Sequence, residues 1–185
     1  MVRDNWQLFR SAIPKQTCES MIKRFLSLES TDGKIFGDNQ LDKSYRESKI
    51  RWVYNDFETQ QMLLRFVNEA NATAFNVDIQ QEMFEMQFSE YHSSYKGKYD
   101  WHHDVNWENT KNFDRKLSVV VQLSDPDNYQ GGLFQFNEIE TPKEEDWKNQ
   151  GSVLVFPSYF THRVTEVTEG VRYSLVSWVR GPRWR

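Results

Sequence analysis

Four histidines occur in the chain, His92, His102, His103 and His162, and one of them stands in a pattern that could hold a metal. His102 and Asp104 are separated by a single residue at the expected end of a strand. Side chains alternate across a strand, so residues i and i+2 project from one face. His102 and Asp104 therefore point together while His103 points away. A neutral imidazole and a carboxylate on one face make two-thirds of the facial triad that binds iron(II) and leaves coordination positions open. The third ligand must come from another element, and His162 stands at the start of a later expected strand. His-x-Asp alone is common by chance, so the weight falls on what accompanies it.

Downstream of His162 runs Gly170-Val171-Arg172-Tyr173-Ser174. If Val167 pairs with Val171 across a short loop at Thr168-Glu169-Gly170, then His162, Arg172 and Ser174 share one face of a hairpin. That face would carry a metal-type ligand at one end and a guanidinium with a hydroxyl further along. An arginine inside a barrel is costly without an anion. A dicarboxylate would supply one, because guanidinium matches carboxylate bidentately. The competing reading makes His102 and His162 ordinary sheet residues and pairs Arg172 with a protein carboxylate. Any one element favours that reading; the whole set, in this order and spacing, does not.

The elements that must position these residues follow from periodicity. Residues 14–29 place Met21, Ile22, Phe25, Leu26 and Leu28 at near-helical spacing, with Pro14 before the start and Thr17 as cap. Residues 57–75 repeat the pattern with Met62, Leu63, Phe66, Val67 and Ala70, and Asp56 as cap. Between them Ser30 to Ser48 is polar, a long loop with a short strand at Lys34–Gly37; loops of that length are often lids or binding loops. From Met83 onward short runs of Val, Phe, Tyr and Trp give strands near 83–92, 98–104, 116–124, 132–137, 151–157, 161–167 and 171–180. Asp125-Pro126-Asp127-Asn128 and Gly131-Gly132 punctuate them as turns. Helices first and strands after give an α+β, mainly β fold, a sandwich or jelly-roll barrel with the N-terminal helices packed on one side. A single domain over 1–185 is expected, with helical support over about 1–80 and the jelly roll over about 83–182.

The 185 residues suffice for one sizeable core, built from a chain that is 15% aromatic and 38% hydrophobic. A net charge of −4 argues against nucleic acid as the partner, since gripping it takes a basic excess or stripe. Arg180, Arg183 and Arg185 form the only local excess and read as a solvated end. Cys18 is the one cysteine, so no internal disulfide can form, and it reads as a small buried hydrophobe. With no export signal and no apolar run of membrane-spanning length, a cytoplasmic location away from the membrane is expected.

Taken together these motifs resemble the 2-oxoglutarate and iron(II)-dependent oxygenases, specifically the prolyl 4-hydroxylase-like branch of bacterial and viral type. Tyr91, Gly97, Tyr99, His102 and Asp104 resemble that branch's tyrosine strand, glycine turn and Tyr-x-x-His-x-Asp. Leu117 to Ser124, followed by Tyr129-Gln130-Gly131-Gly132-Leu133, resembles its central strand and Gly-Gly turn. Phe156-Pro157-Ser158 to His162-Arg163-Val164, then Gly170-x-Arg172-Tyr173-Ser174 and Trp178, resembles its closing hairpin. The likeness covers roughly residues 83–182. It implies a double-stranded β-helix; Fe(II) held by His102, Asp104 and His162; and 2-oxoglutarate held by Arg172 with Ser174 and a tyrosine. O2 would be the second co-substrate, ascorbate is admitted as an accessory, and the reaction would be hydroxylation with release of succinate and CO2. Two departures stand out. Collagen enzymes of human type have lysine where this chain has Arg172. The stretch from Tyr91 to His102 is also about two residues longer than in many relatives, which leaves Tyr91 and Tyr99 both open as the tyrosine on 2-oxoglutarate. Tyr91 is favoured because its odd-numbered face also carries Glu85, Gln87 and Ser89.

Substrate contacts are less legible. Among Trp101, Trp107, Trp178 and Trp184, Trp107 follows the metal aspartate closely and is the best candidate. Trp178 shares parity with Arg172 and is expected to pack beneath the co-substrate. Arg51 and Trp52, on an expected edge strand, are a second choice, and His103 is structural. A peptide or protein containing proline is the expected substrate, with a free amino acid or other small molecule as the alternative. A non-catalytic jelly-roll binding module is the reading from another class. Asp104 itself argues against halogenation, which needs a small residue there to leave room for halide. Base demethylation fits poorly with the acidic balance. Loops 30–49 and 105–115 would choose the substrate.

Overall fold

The computed structural model describes residues 4–35 and 41–185. Its first half runs β1 (Gln7–Phe9), α1 (Lys15–Leu26), β2 (Thr31–Asp32), β3 (Arg46–Glu47), β4 (Lys49–Trp52), α2 (Phe57–Ala70), β5 (Gln80–His92) and β6 (Lys98–His102). The second half adds β7 (Phe113–Gln122), β8 (Tyr129–Gly131), β9 (Phe134–Phe136), α3 (Glu144–Trp147), β10 (Val153–Pro157), β11 (His162–Val164) and β12 (Val167–Pro182). The result is a mixed α+β fold with the long helices at the N-terminal side of the sheets' strands. Among the described residues no helix is long and apolar enough to cross a membrane.

Both long helices form where apolar residues recur on one stripe. α1 buries Cys18, Met21 and Phe25, and α2 buries Leu63, Leu64, Val67 and Ala70. Asp56 caps α2 by accepting from the Thr59 amide at 3.1 Å. Thr17 does not cap α1: the helix starts one turn earlier, at Pro14, whose carbonyl accepts from the amides of Thr17 and Cys18. Proline supplies the fixed φ that starts a helix without any side-chain cap. α2 passes into a π-helical turn at Asn71–Phe75, closed by Asn76 in the left-handed region. Burial pushes the Cys18 thiol up to about 11, as befits a packed rather than a reactive sulfur.

The larger sheet has the order β1-β10-β7-β12-β5-β4-β2, with β8 joined to β12; the smaller has the order β3-β6-β11-β9. Strand alternation divides the labour of the larger sheet. Leu117, Val119 and Val121 of β7, Leu175 and Val179 of β12, and Met86 and Phe88 of β5 pack with α1 and α2 in one core. The alternate residues, among them Arg172, Ser174 and Trp178 on β12 and Glu85, Gln87, Ser89 and Tyr91 on β5, face a cavity shared with the smaller sheet. Aromatic packing of Phe134, Phe136, Trp147 and Phe156 with Val120 and Leu154 fills the space beside that cavity.

Two further sequence expectations are corrected, and one strand is new. The hairpin of 161–167 with 171–180 does not form. β11 lies in the smaller sheet, and the chain crosses to the larger sheet between Val164 and Val167. β12 then runs unbroken through Thr168-Glu169-Gly170, so Val171 partners His92 rather than Val167. Neighbouring backbone captures the crossing: Thr165 and Val167 donate to Leu133 and Gly97, and Gly132 donates to Glu166. Gly131 is needed there, because a Cβ would sit 2.2 Å from the Glu166 carbonyl oxygen. Secondly, Lys34 and Ile35 carry no strand; the sheet edge forms earlier, Thr31 opposite Ile50 and Asp32 opposite Lys49. The remainder of the expected 34–37 strand lies outside the described residues. Thirdly, β1 was not expected at all; it is a three-residue edge strand on β10.

Truncating Leu63, fully buried in the helix–sheet core, to alanine should cost about 2–5 kcal/mol. Phe57→Ala, on the same helix but 68% exposed, should stay within about 0.5 kcal/mol. Urea denaturation of the two variants checks the contrast.

Candidate metal centre

β6 and β11 are antiparallel neighbours that place His102 directly opposite His162. Their imidazole centroids are 4.3 Å apart. Asp104 follows just past the end of β6, tied by its amide to the Ser158 carbonyl at 2.9 Å. Its Oδ2 accepts from the Ser118 hydroxyl at 2.7 Å, and Ser118 in turn meets the Ser158 hydroxyl at 2.9 Å. One donor atom from each of His102, Asp104 and His162 falls within 4.8 Å of the others. Sequence spacing alone does not make this cluster: the smaller sheet aligns the histidines, and serines on and beside the larger sheet hold the carboxylate.

The protonation states suit a metal. Nδ1 of His102 lies 2.7 Å from the Asp100 carbonyl oxygen, and Nδ1 of His162 lies 2.9 Å from that of Phe160. A carbonyl only accepts, so Nδ1 carries the proton in both rings and Nε2 offers its lone pair. Burial, and then the neighbouring His162, hold His102 well below the usual histidine range, which keeps it neutral. For Asp104 burial pushes upward, but opposing pulls, the Arg115 charge and the Ser118 hydrogen bond among them, leave the carboxyl below its ordinary value. Imidazole nitrogens and a carboxylate are groups that ligate a divalent ion. Phe134 and Phe156 lie against the His162 ring at 5.4 and 5.0 Å, and Tyr99 stacks on His102. These rings shield the ligands from water.

Arg172 stands on the larger sheet with no solvent exposure. Its Nε donates to Gln122 Oε1 at 3.1 Å, while Nη1 and Nη2 are buried with no hydrogen-bond partner. Among the described residues no carboxylate forms an ion pair with it, so none of these supplies its anion. Gly132, at φ +60°, lets the turn close over this side chain; a Cβ there would come within 2.9 Å of Arg172 Cδ. Gln122 also donates to the Tyr129 hydroxyl at 2.9 Å. Burial raises the pKa of that hydroxyl against the opposing pull of Arg172 and Lys148. Gln122 and Tyr129 escaped sequence reasoning. An amide inside the apolar run Leu117–Leu123 was the available signal for the first.

One cavity of about 640 Å³ is lined by His102, Asp104, His162, Arg172 and Ser174, together with both Tyr91 and Tyr99. The Arg172 guanidinium carbon lies 5.6 Å from the Tyr91 ring centroid, and Tyr99 is held against His102. Trp178 lines the same cavity. It sits further along β12, opposite Ser118 and Glu85, where Arg115 lies 3.7 Å over its ring and Trp52 is 6.2 Å away. Glu85 there pairs with Arg115 at 3.1 Å and with Arg180 at 2.6 Å. Arg51 is on the wrong face: it partners Phe88 in register and bonds Glu90 at 2.9 Å, and alternation turns Trp52 to the cavity instead. Trp107 is 51% exposed and lies near His103, 6.2 Å between rings, outside the cavity lining. Trp101 stacks under Arg163, and Trp184 packs on Lys116 and Tyr159.

The model of the 2OG-Fe(II) oxygenase superfamily matches residues 86–180. A PKHD-type hydroxylase of Prochlorococcus marinus is 28% identical over 174 residues, covering 89% of this chain and 72% of that protein. Another, from Hyphomonas neptunium, is 44% identical over 66 residues, which are 35% of this chain and 28% of the relative. In fold, the chain is similar to a Pseudomonas putida prolyl-4-hydroxylase, with TM-score 0.74, 18% identity, and coverage of 95% and 92%. A Trichoplax adhaerens prolyl hydroxylase, solved with a hypoxia inducible factor peptide fragment, gives TM-score 0.72 at 17% identity, covering 95% and 83%.

Alanine at His102, Asp104 or His162 should each weaken iron(II) binding by more than about 100-fold, beyond the loss expected for an outer partner. Anaerobic iron(II) titration checks this, and wild-type affinity in His162→Ala would break the assignment.

Proposed function

The chain belongs to the 2OG-Fe(II) oxygenase superfamily, and from that premise we propose that it hydroxylates a substrate C–H bond. His102, Asp104 and His162 hold Fe(II), and Arg172 holds the far carboxylate of 2-oxoglutarate. The two facing sheets are read as the double-stranded β-helix. The observation that carries the proposal is Arg172: a buried guanidinium with two unpartnered nitrogens, lining the same cavity as the three candidate ligands. A buried cation without an anion is expensive, and a dicarboxylate chelated at its other end would neutralise it. Bound together, iron(II) and 2-oxoglutarate would supply the oxidative chemistry, with O2 consumed, succinate and CO2 released and a hydroxyl left on the substrate.

The chain's own residues then have separable tasks. Asp100 and Phe160, through their carbonyls, fix which imidazole nitrogen faces inward. Ser118 orients the Asp104 carboxylate. Gln122 holds Arg172 by Nε, which leaves both terminal nitrogens for a bidentate partner. Ser174 and Tyr91 line the same cavity and offer hydroxyls to that carboxylate.

The substrate proposed is a prolyl residue in a peptide or protein. This rests on the names of the structural relatives and on a cavity mouth where Trp52 and Trp178 offer apolar rings beside charged Arg115 and Glu85. Such a mouth suits a ring flanked by backbone amides. A second reading, hydroxylation of a free amino acid, draws on the same Glu85–Arg115–Arg180 cluster, whose charges could pair with a zwitterion.

Arg172→Ala should raise the apparent 2-oxoglutarate constant at least tenfold, about 1.4 kcal/mol, and up to the roughly 2–5 kcal/mol of a broken buried charge pair. Iron(II) binding should persist. For the substrate, a library of proline-containing peptides should stimulate succinate formation and yield a product heavier by one oxygen. Free proline should turn over poorly, because it lacks the remote contacts that orient the reacting carbon. Efficient hydroxylation of a free amino acid with no peptide product would decide for the second reading.

A further inference from the structure

We propose that Arg46 is a positioning residue for the metal centre, holding the His102 imidazole in place through the Tyr99 ring. The proposal rests on the reading of His102 as an iron ligand.

The observation behind it is a break in strand alternation. Tyr99 and His102 would face opposite sides of a regular strand. Yet β6 is bulged: between the pairs Val164–Tyr99 and His162–His102 it takes one residue more than β11. The bulge turns both side chains to the cavity and lays the phenol ring on the imidazole, with centroids 3.4 Å apart and planes within 13°. The backbone at the bulge is pinned by Tyr45, whose carbonyl accepts from the Asp100 amide at 2.9 Å and whose hydroxyl donates to the Trp101 carbonyl. One face of His102 is thus covered by Tyr99, and the His162 ring lies 4.3 Å from it, tilted by 54°.

Tyr99 has a backing of its own. The Arg46 guanidinium carbon lies 4.2 Å from the Tyr99 centroid, a cation–π contact in a site where the arginine is almost fully buried. All three guanidinium nitrogens are engaged. Nε donates to Ser48 Oγ at 3.0 Å, Nη1 to the Lys34 carbonyl at 2.9 Å and Nη2 to Gln87 Oε1 at 2.8 Å. The chain passes tightly over this group at Gly33, where a Cβ would come within 2.5 Å of Arg46 Nε. These partners belong to the segment before β3, to β3's own exit and to β5 of the larger sheet. Arg46 therefore spans the open edge between the sheets, with each guanidinium nitrogen tied to a different segment. Lysine cannot replace it, since an ammonium has neither the planar face nor the three-way fork.

The test is anaerobic iron(II) titration of the full chain, with thermal denaturation of the iron-free protein alongside. Arg46→Lys and Tyr99→Leu should each weaken iron(II) binding about tenfold, the scale of an outer-partner loss. Tyr99→Phe, which keeps the ring, should recover most of the affinity that Tyr99→Leu loses. The double variant Arg46→Lys/Tyr99→Leu should be little weaker than either single, because both break one stack. Should Arg46→Lys fail to fold, Tyr99→Leu still decides, since it leaves the three Arg46 hydrogen bonds untouched. Wild-type affinity in the folded single variants, even with lowered thermal stability, overturns the proposal. An iron(II)-binding wild type with a non-binding His162→Ala keeps the metal assignment in either event. A wild type that binds no iron(II) overturns both.

Discussion

Arg172 sits at zero exposure with two terminal nitrogens unpaired, and the rest of the site is built around that costly group. Desolvating a guanidinium costs several kcal/mol before any partner returns it. The surroundings soften that cost without cancelling it. Gln122 takes one N–H, and the rings of Trp147 and Tyr91 lie at 5.3 and 5.6 Å. None of these carries a negative charge. The local architecture is arranged to keep the cation buried rather than to neutralise it. Gly132 makes room for it, and its neighbours on β12 place Val171 and Tyr173 on the other face.

That arrangement is inseparable from the stability of the fold. Each central strand of the larger sheet faces two ways, so the residues that anchor α1 and α2 alternate with those that line the cavity. A one-residue slip of β12 would carry Arg172 into the helix core and Leu175 into the cavity. The apolar packing of Leu117, Val119, Val121, Leu175 and Val179 therefore fixes the register that the site needs. It stabilises the position of the charged groups although it touches none of them.

Much of this was legible from period-two patterns. The odd-numbered face Glu85, Gln87, Ser89 and Tyr91, and the grouping of His102 with Asp104 and of Arg172 with Ser174, all follow from alternation and all meet at one cavity. What escaped were departures from alternation and choices between partners. The expected hairpin treated Gly170 as a turn, whereas at φ +68° it sits inside a strand, close against Asn128. The long-range capture of residues 165–167 by Leu133 and Gly97 has no local signature. Nor does the β6 bulge, which overrides parity at Tyr99. Arg51, the expected contact, and Trp52 are adjacent; which of them turns inward depends on the register of β4 against β5.

Two sheets share the site unequally, and this has a physical consequence. The candidate metal ligands His102 and His162 come from the smaller sheet, while Arg172 and Ser174 come from the larger. Facing sheets pack about 10 Å apart, so a molecule that touches both groups must bridge that gap. Besides the apolar packing of Phe134 and Phe136 on Val120, Leu154 and Phe156, two polar ties join the layers, Asp104 through Ser118 and Ser158 and Arg46 through Gln87. Both use hydrogen bonds, not apolar packing, and both flank the cavity. A ligand spanning from the histidines to the arginine would add a third polar tie between the layers. Its binding free energy would appear as stability by mass action. The same unequal sharing explains why the carboxylate ligand lies beyond the end of β6: only a residue past the strand is free to reach the serines of the opposite layer while the histidine before it stays in the sheet.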